Sequence, residues 1–306
     1  VLRRTKNILM TDSTFENYEI INNIVTFDTK EEQNIYEEIQ NNALDDLLTA
    51  EEELDGASLS LFILELLLRL RQASSHPGIA LESLRKKYDD YKLEKTFSLN
   101  RESSKMKKVI KDIQRSSGYC LVFCHFQAEM NLLQSFLDNK GILSEIYNGS
   151  LSRSQRDDVI DKFDSEPVKK KVFKDGDKFK IRENKPRVLI IQIKAGGVGL
   201  NLQQFNNVFI LSPDWNPANE IQAISRAHRL GQTRHVNVNK YTLVYNDEFL
   251  EENNIECTNA LDGEERGTIN ESNNAKNTSV DERILGIQLK KREIMVQILN
   301  DPTLKF

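Results

Sequence analysis

The sequence predicts an α/β fold, a parallel sheet with helices on both faces. Two observations lead there. From Ser104 to about Val244, helical and strand-like segments alternate, and two of the strand-like runs, "RVLIIQI" and "NVFILSP", are short, β-branched and almost unbroken in apolar character. Such runs suit strands covered on both sides, as parallel strands are.

The chain opens in a helical register. In "EEQNIYEEIQNNALDDLLTA" apolar residues recur at Ile35, Ile39, Ala43 and Leu47, and in "ASLSLFILELLLRLRQASSHP" at Leu59, Phe62, Ile63, Leu66 and Leu70, the spacing of a helix face. Pro77 closes the second helix, and the charged run from Leu81 to Arg101 reads as a surface connector or a frayed helix. "SSKMKKVIKDIQ" then turns Met106, Val109, Ile110 and Ile113 to one side, "CLVFCHF" is a buried strand, "QAEMNLLQSFLDNKG" is a helix stopped by Gly141, and "LSEIYNG" is a strand. "LSRSQRDDVIDKF" begins on a capping box, Ser152 with Gln155 three positions on. After the two apolar strands come another helix and the strand "VNVNKYTLV". The stretch from Asn246, rich in Asn and Glu with little periodicity, reads as a flexible insertion, and "SVDERILGIQLKKREIMVQIL" is helical again. The expected organisation is a leading segment, helical protrusion and connector over 1–103, an α/β lobe over 104–246 with a basic insertion at 166–186, an acidic insertion at 247–279, and a closing helix over 280–306.

A chain of 306 residues, 39% hydrophobic, can bury a sizeable core in one large domain or two. Its longest apolar stretch, Leu59 to Leu70, is broken by Glu65 and falls short of the roughly 18 residues that a membrane span needs. "VLRRTK" has neither the apolar core nor the cleavage site of a signal peptide, and a start at Val1 suggests a piece of something longer. Three cysteines make no disulfide framework and fit a reducing compartment such as nucleus or cytoplasm. A net charge of -5 argues against a uniformly basic nucleic-acid binder. The charge is unevenly placed, with ten acids against Lys30 alone over residues 30–55 and nine Lys and Arg against four acids over 166–187.

In "DWNPANEIQAISRAHRLGQ", Asn216 is a good N-cap and Pro217 suits the first helical position. At about 100° per residue, Gln222, Arg226 and Arg229 fall within about 60° of one another, opposite Ala223, Ile224, Ala227 and Leu230. The apolar side packs on the sheet, and the arginine side faces outward from the sheet end, where guanidinium groups can grip phosphate in two-pronged fashion. Taken alone, a surface helix with two solvated arginines explains it equally well. The preceding "IKAGGVGLNL" places three glycines in four positions after a strand, which lets the backbone approach a ligand and turn N–H groups toward anionic oxygens. It is not a P-loop, since G-x-x-x-x-G-K-[ST] occurs nowhere in the chain.

"LVFCHF", "IYNGSLSRSQRDDVIDKF", "VLIIQIKAGGVGLNL", "VFILSPDWNP" and "QAISRAHRLGQ", in that order, resemble motifs IV to VI in the second RecA-like lobe of Swi/Snf-type DNA translocases of helicase superfamily two. The likeness extends outward: "VLRRTK" resembles the segment leaving the first lobe, "LLRLRQASSHP" the helical protrusion, and "SVDERILGIQLKK" the closing brace helix. "RLRQ" followed by "HP" resembles the branch that includes RING-bearing ubiquitin-ligase translocases and a transcription-termination ATPase.

The resemblance implies an ATP- and Mg2+-dependent machine of the nucleus whose Mg-ATP is held mainly by a first lobe that this chain lacks. Arg226 and Arg229 match the two motif VI arginines that reach ATP across the interlobe cleft, with Arg229 as the main arginine finger, and Gln222 matches the glutamine that places them. Gly199 matches a glycine close to the nucleotide. Gly149, Ser150, Lys194, Gly196 and Gly197 match contacts to the DNA backbone, and Trp215 matches an aromatic near the minor groove. Implied partners are double-stranded DNA, the first RecA-like lobe, and nucleosomes or other DNA-bound proteins. No metal site is implied within the chain.

The chain also departs from the pattern. The usual Ser-Gln of motif IV is Cys124-His125, and the usual small hydroxyl residue opening motif V is Gln192. A RING domain needs eight Cys and His ligands, whereas the chain has Cys120, Cys124 and Cys257 with four histidines. Cys120 and Cys124, four positions apart on a strand and so about 13 Å from one another, read as core thiols, and His76 as structural. The basic insertion reads as a solvated loop or an additional nucleic-acid contact. Two other functions fit the same fold: an RNA helicase lobe, against which "HRLGQ" and "DWNP" speak, and a non-catalytic scaffold, against which the intact Arg226 and Arg229 speak.

Overall fold

The computed structural model describes residues 18–87, 96–163, 170–175, 178–183, 187–194, 200–229, 231–245 and 278–299. In chain order the elements are β1 (Tyr18–Val25), α1 (Lys30–Glu53), α2 (Gly56–Ser75), α3 (Pro77–Lys87), α4 (Ser104–Arg115), β2 (Cys120–Cys124), α5 (Gln127–Asn139), β3 (Ser144–Tyr147), α6 (Arg153–Asp161), β4 (Lys170–Asp175), β5 (Lys178–Glu183), β6 (Val188–Gln192), β7 (Asn207–Ile210), α7 (Pro217–Ala227), β8 (Val236–Leu243) and α8 (Val280–Leu299). No helix among the described residues is long and apolar enough to cross a membrane.

The strands with no polar face sit in the middle. The sheet runs β1-β8-β7-β2-β6-β3, every neighbouring pair parallel, and Cys120 stands opposite both Val188 and Asn207. Alternation along β2 splits the core in two. Cys120, Val122 and Cys124 join Val188, Ile190, Phe209 and Tyr241 beneath α4 and α5, while Leu121 and Phe123 join Leu189, Ile191, Val208 and Val238 beneath α6 and α7. Helices thus cover both faces, as the apolar strands require. Cys120 and Cys124 are free thiols buried in the first of these cores.

Local signals place several ends. Ser152 Oγ accepts the Gln155 N–H at 3.3 Å and Gln155 Oε1 accepts the Ser152 N–H at 2.8 Å, closing the expected capping box of α6. Gly141, at φ +74°, takes the left-handed turn that ends α5. Other elements differ from the sequence reading. The leading stretch, read as helical, contributes β1, which pairs with β8 from Tyr18↔Val236 to Val25↔Leu243. It is an edge strand, half-buried except at Val25, so its apolar alternation is weak. The basic insertion, read as a loop, holds an antiparallel ribbon of β4 and β5, from Lys170↔Glu183 to Asp175↔Lys178. The Gly176-Asp177 step between those strands is a two-residue hairpin signal that charge obscured. The acidic insertion over 247–279 lies outside the described residues except for its last two.

α1, α2 and α3 build a separate core from Ile35, Tyr36, Ile39, Ala73, Ala80, Leu81, Leu84 and Phe97. The run from Leu81, read as a connector, begins inside α3, because Leu81 and Leu84 are buried there. His76 joins α2 to α3. It is fully buried, its Nδ1 accepting the Gly78 N–H at 3.1 Å and its Nε2 donating to Arg101 O at 2.8 Å. Both ring nitrogens are occupied by backbone, which makes the residue structural.

Burial lowers the His76 pKa to about 4. An unfolded histidine takes up its proton near 6.5, so between there and about 4 the unfolded state binds the extra proton. The stability that His76 contributes is therefore complete above pH 6.5 and is lost as pH falls toward 4. Glu282, raised by burial to about 7, acts in the opposite sense over pH 4.5 to 7, so the comparison must be by difference. Urea midpoints at pH 7, 5.5 and 4.5 are expected to converge between wild type and His76→Gln as pH falls. A gap independent of pH contradicts a neutral imidazole.

Candidate nucleotide and nucleic-acid interface

The loops leaving the C-terminal ends of the strands form one edge of the lobe. After β3, Asn148 Oδ1 accepts both the Ser150 N–H (3.0 Å) and its hydroxyl (2.6 Å), while Arg156 donates to Gly149 O at 3.0 Å. The turn is held from below, leaving Gly149 and Ser150 exposed. A Cβ at Gly149 would meet nothing within 4 Å, so the lobe itself does not demand a glycine there. The open space favours close approach by something outside. Lys194, two residues beyond β6, is exposed on the same edge. Gly196, Gly197 and Gly199 lie outside the described residues.

After β7 the chain is pinned tightly. Buried Asp214 accepts the Asn216 N–H (2.8 Å) and Asn219 Nδ2 (2.9 Å) on Oδ1, and its own N–H donates to Glu220 Oε1 at 2.8 Å. Gln288 of α8 donates to Asp214 O (2.6 Å) and Glu220 Oε1 (2.7 Å), and Lys240 pairs with Glu220 Oε2 at 2.8 Å. Trp215, half-buried, presents its carbonyl to Lys291 Nζ at 2.8 Å. Asn216 then caps α7 by accepting the Ala218 N–H at 3.1 Å, with Pro217 in the first turn.

α7 buries Ala223, Ile224 and Ala227 against the sheet and turns Gln222 and half-buried Arg226 outward. It is shorter than its pattern. The helix ends at Ala227, buried His228 caps it with its ring 4.7 Å from that of Tyr18, and exposed Arg229 stands just beyond. The cause is tertiary. Buried Gln232 donates to Ala227 O (3.2 Å) and Gln203 O (2.8 Å) and accepts the Arg234 N–H (3.0 Å), while Gly231 turns the chain at φ +99°. The side-chain amide takes a carbonyl that a further helical turn would have used. Arg229 is therefore not part of the helical stripe, and Leu230 lies outside the described residues.

Topology also sets the direction of α7. Since β7 and β8 are parallel, α7 must run from the C-terminal edge of the sheet back to the N-terminal edge. Gly149, Ser150, Lys194 and Trp215 share the first edge. Gln222, Arg226 and Arg229 descend the outer flank toward the second, with Arg226 O accepting the Leu202 N–H at 3.1 Å where the glycine loop returns.

Residues 104–231 match the family described as Helicase conserved C-terminal domain. Over those residues the chain is similar to helicase C-terminal domains. It is 32% identical over 214 residues to the putative ATP-dependent helicase/translocase YwqA of Bacillus subtilis, covering 69% of this chain and 20% of that protein. It is 35% identical over 153 residues to the DNA repair protein RAD5 of Yarrowia lipolytica, covering 50% and 12% respectively. The fold matches the Sulfolobus solfataricus SWI2/SNF2 ATPase core in complex with dsDNA with a TM-score of 0.53 and 23% identity, over 82% of this chain and 47% of that one. The chain thus spans a minor part of these curated relatives.

In the lobe, Cys124 and His125 face inward. The His125 side chain, 6% exposed, donates from Nε2 to Ser212 O at 3.0 Å and holds Nδ1 3.7 Å from Asp214 Oδ2. Its own N–H donates to Glu129 Oε2 (2.8 Å), whose other oxygen accepts Ser75 Oγ at 2.6 Å. Burial, and then the nearby Arg71 charge, hold its pKa below the ordinary histidine value. Gln192 supports the same loop through His125 O at 3.2 Å. His125 thus ties the end of β2 to the loop after β7, at the point where the strand order reverses. Among the described residues no group of three His, Cys, Asp or Glu could hold a metal ion.

Sequence reasoning missed the residue that ties these parts together. Lys105, fully buried at the start of α4, donates to Ser74 Oγ of α2 (2.9 Å), Ser212 Oγ after β7 (3.0 Å) and Asp281 Oδ2 of α8. Asp281 Oδ2 also accepts the Leu243 N–H at 3.0 Å. Nothing in "SSKMKK" distinguishes this lysine from its neighbours. Lys105→Ala is expected to cost about 3–5 kcal/mol by leaving the Asp281 carboxylate buried and unpaired, whereas Lys105→Met with Asp281→Leu recovers most of it. Urea denaturation measures both, and a loss below about 1 kcal/mol for the single variant contradicts the pairing.

Proposed function

We propose that the lobe is the second half of an ATP-dependent double-stranded-DNA translocase that acts on protein–DNA complexes in chromatin remodelling, DNA repair or transcription in the nucleus. The observation that carries this reading is the outer flank of α7. Gln222, Arg226 and Arg229 stand exposed or half-exposed, with no ion pair among the described residues, above a face whose Ala223, Ile224 and Ala227 are committed to the core.

Arg226 and Arg229 are the arginine fingers, Gln222 places them, and Gly199 lies close to the nucleotide. The nucleotide's Mg2+ is held by the missing first lobe and supplies charge neutralisation at the phosphates when bound. Permanently charged guanidinium groups suit a transferring phosphoryl group, an effect worth about 10³ to 10⁵ in rate where an arginine finger has been removed in other systems. Gly149, Ser150, Lys194, Gly196, Gly197 and Trp215 contact duplex DNA, mostly at phosphates, so sequence preference is slight. The likeness to a core solved with dsDNA supports this partner. Lacking a Walker lysine loop, the chain alone turns over no ATP.

In the full-length parent, Arg229→Ala is expected to lower duplex-stimulated ATP turnover by about 10³-fold or more while duplex affinity holds. Lys194→Ala is expected to weaken duplex binding and reduce its salt slope by about one. Steady-state hydrolysis and binding titrations across salt read both. Turnover unchanged in Arg229→Ala overturns the assignment, and stimulation by RNA in place of duplex DNA moves the protein to the RNA helicases.

A further inference from the structure

The pairing of β4 with β5 sorts the basic insertion into two unlike faces. Residues opposite one another share a face of a ribbon, and the face alternates at each step along a strand. The pairs Lys170↔Glu183, Val172↔Ile181 and Lys174↔Phe179 therefore make one face, and Lys171↔Arg182, Phe173↔Lys180 and Asp175↔Lys178 make the other. The first is mixed: it gathers Val172, Phe179 and Ile181, with Lys170 and Lys174 against Glu183. The second is basic, setting Lys171, Lys178, Lys180 and Arg182 against Asp175 and Phe173.

The basic face suits a line of anions. Lys178, Lys180 and Arg182 hold alternate positions of β5, a row of cations about 7 Å apart along the strand. Lys171 stands directly opposite Arg182, a pairing of like charges that disfavours the ribbon until an anion lies between them. A nucleic-acid backbone supplies such anions at a regular interval. A protein partner would call for an apolar centre, and single-stranded nucleic acid for successive aromatic platforms, whereas this face has Phe173 alone.

The ribbon is rooted away from the DNA contacts already assigned to the lobe. The chain leaves β3 at the C-terminal edge of the sheet, α6 follows, and β6, parallel to β3, starts again at the N-terminal edge. An insertion between α6 and β6 thus returns to that N-terminal edge. The five residues of β6 set it about 17 Å from the edge bearing Gly149, Ser150 and Lys194.

We infer that Lys171, Lys178, Lys180 and Arg182 form a second contact to the phosphates of duplex DNA, indifferent to base sequence. The inference rests on the duplex-DNA function proposed for the lobe and adds to it a contact rooted at the opposite edge. Phosphate contacts of this kind strengthen and position the complex without reading bases.

The test titrates a labelled duplex with the full-length parent at about 50 and about 200 mM salt and compares two charge-matched variants. Lys178→Gln with Lys180→Gln removes two charges from the basic face, and Lys170→Gln with Lys174→Gln removes two from the mixed face. The first variant is expected to lower the slope of log affinity against log salt by about 1.8, so that the advantage of wild type over it shrinks about tenfold between the two salts. The second changes the slope by less than half as much. Equal losses from both faces, no loss from either, or a loss seen with single-stranded DNA and not with duplex overturns the inference. Lys194→Ala in the same titration keeps the two readings apart. Duplex binding that depends on Lys194 but is indifferent to Lys178 and Lys180 overturns the second contact alone, whereas a parent that binds no duplex overturns the proposed function and the second contact with it.

Discussion

The Lys105 ammonium is the contact on which the relative placement of everything else depends. A lone cation so deeply buried would be costly, and it is tolerable because each of its three donors finds an oxygen: Ser74 on α2, Ser212 beyond β7, and Asp281 on α8. These partners come from three separate parts of the chain, so the bond set forms only when α2, the sheet and α8 are assembled. Hydrophobic burial alone would let helices slide, whereas a buried charge with directional partners allows one arrangement.

From that junction, rigidity spreads along the C-terminal edge. Ser212 leads into Asp214, whose bonds to Asn216, Asn219 and Gln288 hold the loop bearing Trp215 and the start of α7. His125 and Glu129 lock the loop after β2 beneath it. The groups left exposed, Gly149, Ser150 and Lys194 on the edge and Gln222, Arg226 and Arg229 on the flank, therefore sit on a stiff support. An arginine that must meet a phosphoryl group held by another domain benefits from such a support, since misplacement by about 1 Å can cost about 10²-fold in rate. The net charge of -5 is no obstacle, because exposed cations such as Lys194 and Arg229 set the field beside them whatever the rest of the chain carries.

What was legible in the sequence was whatever a residue decides with its near neighbours. The apolar runs of β2, β6 and β7, the Ser152–Gln155 box and the Asn216-Pro217 start of α7 are local signals, and each appears in the structure. The inner and outer faces of α7 follow from periodicity in the same way. Its end does not, because the helix is stopped by Gln232, whose amide reaches the carbonyls of Ala227 and Gln203. β1 was hidden because an edge strand buries too little for alternation to show, and the roles of Lys105 and His125 because their partners lie far along the chain. The two-patch layout of the interface is likewise a product of topology. Parallel pairing of β7 with β8 carries α7 away from the edge that bears Gly149 and Lys194, which spacing along one helix could not reveal.

Under the proposed function Arg229, held just past the end of α7, completes a nucleotide site shared with a second lobe. A structure of the full-length parent bound to duplex DNA and ADP–aluminium fluoride tests it most directly. The account predicts the Arg229 guanidinium within about 3 Å of the fluoride that mimics the transferring phosphoryl group, with Gly149 and Lys194 against the DNA backbone. Nucleotide bound with Arg229 left in solvent, or DNA lying on another face of the lobe, would contradict it.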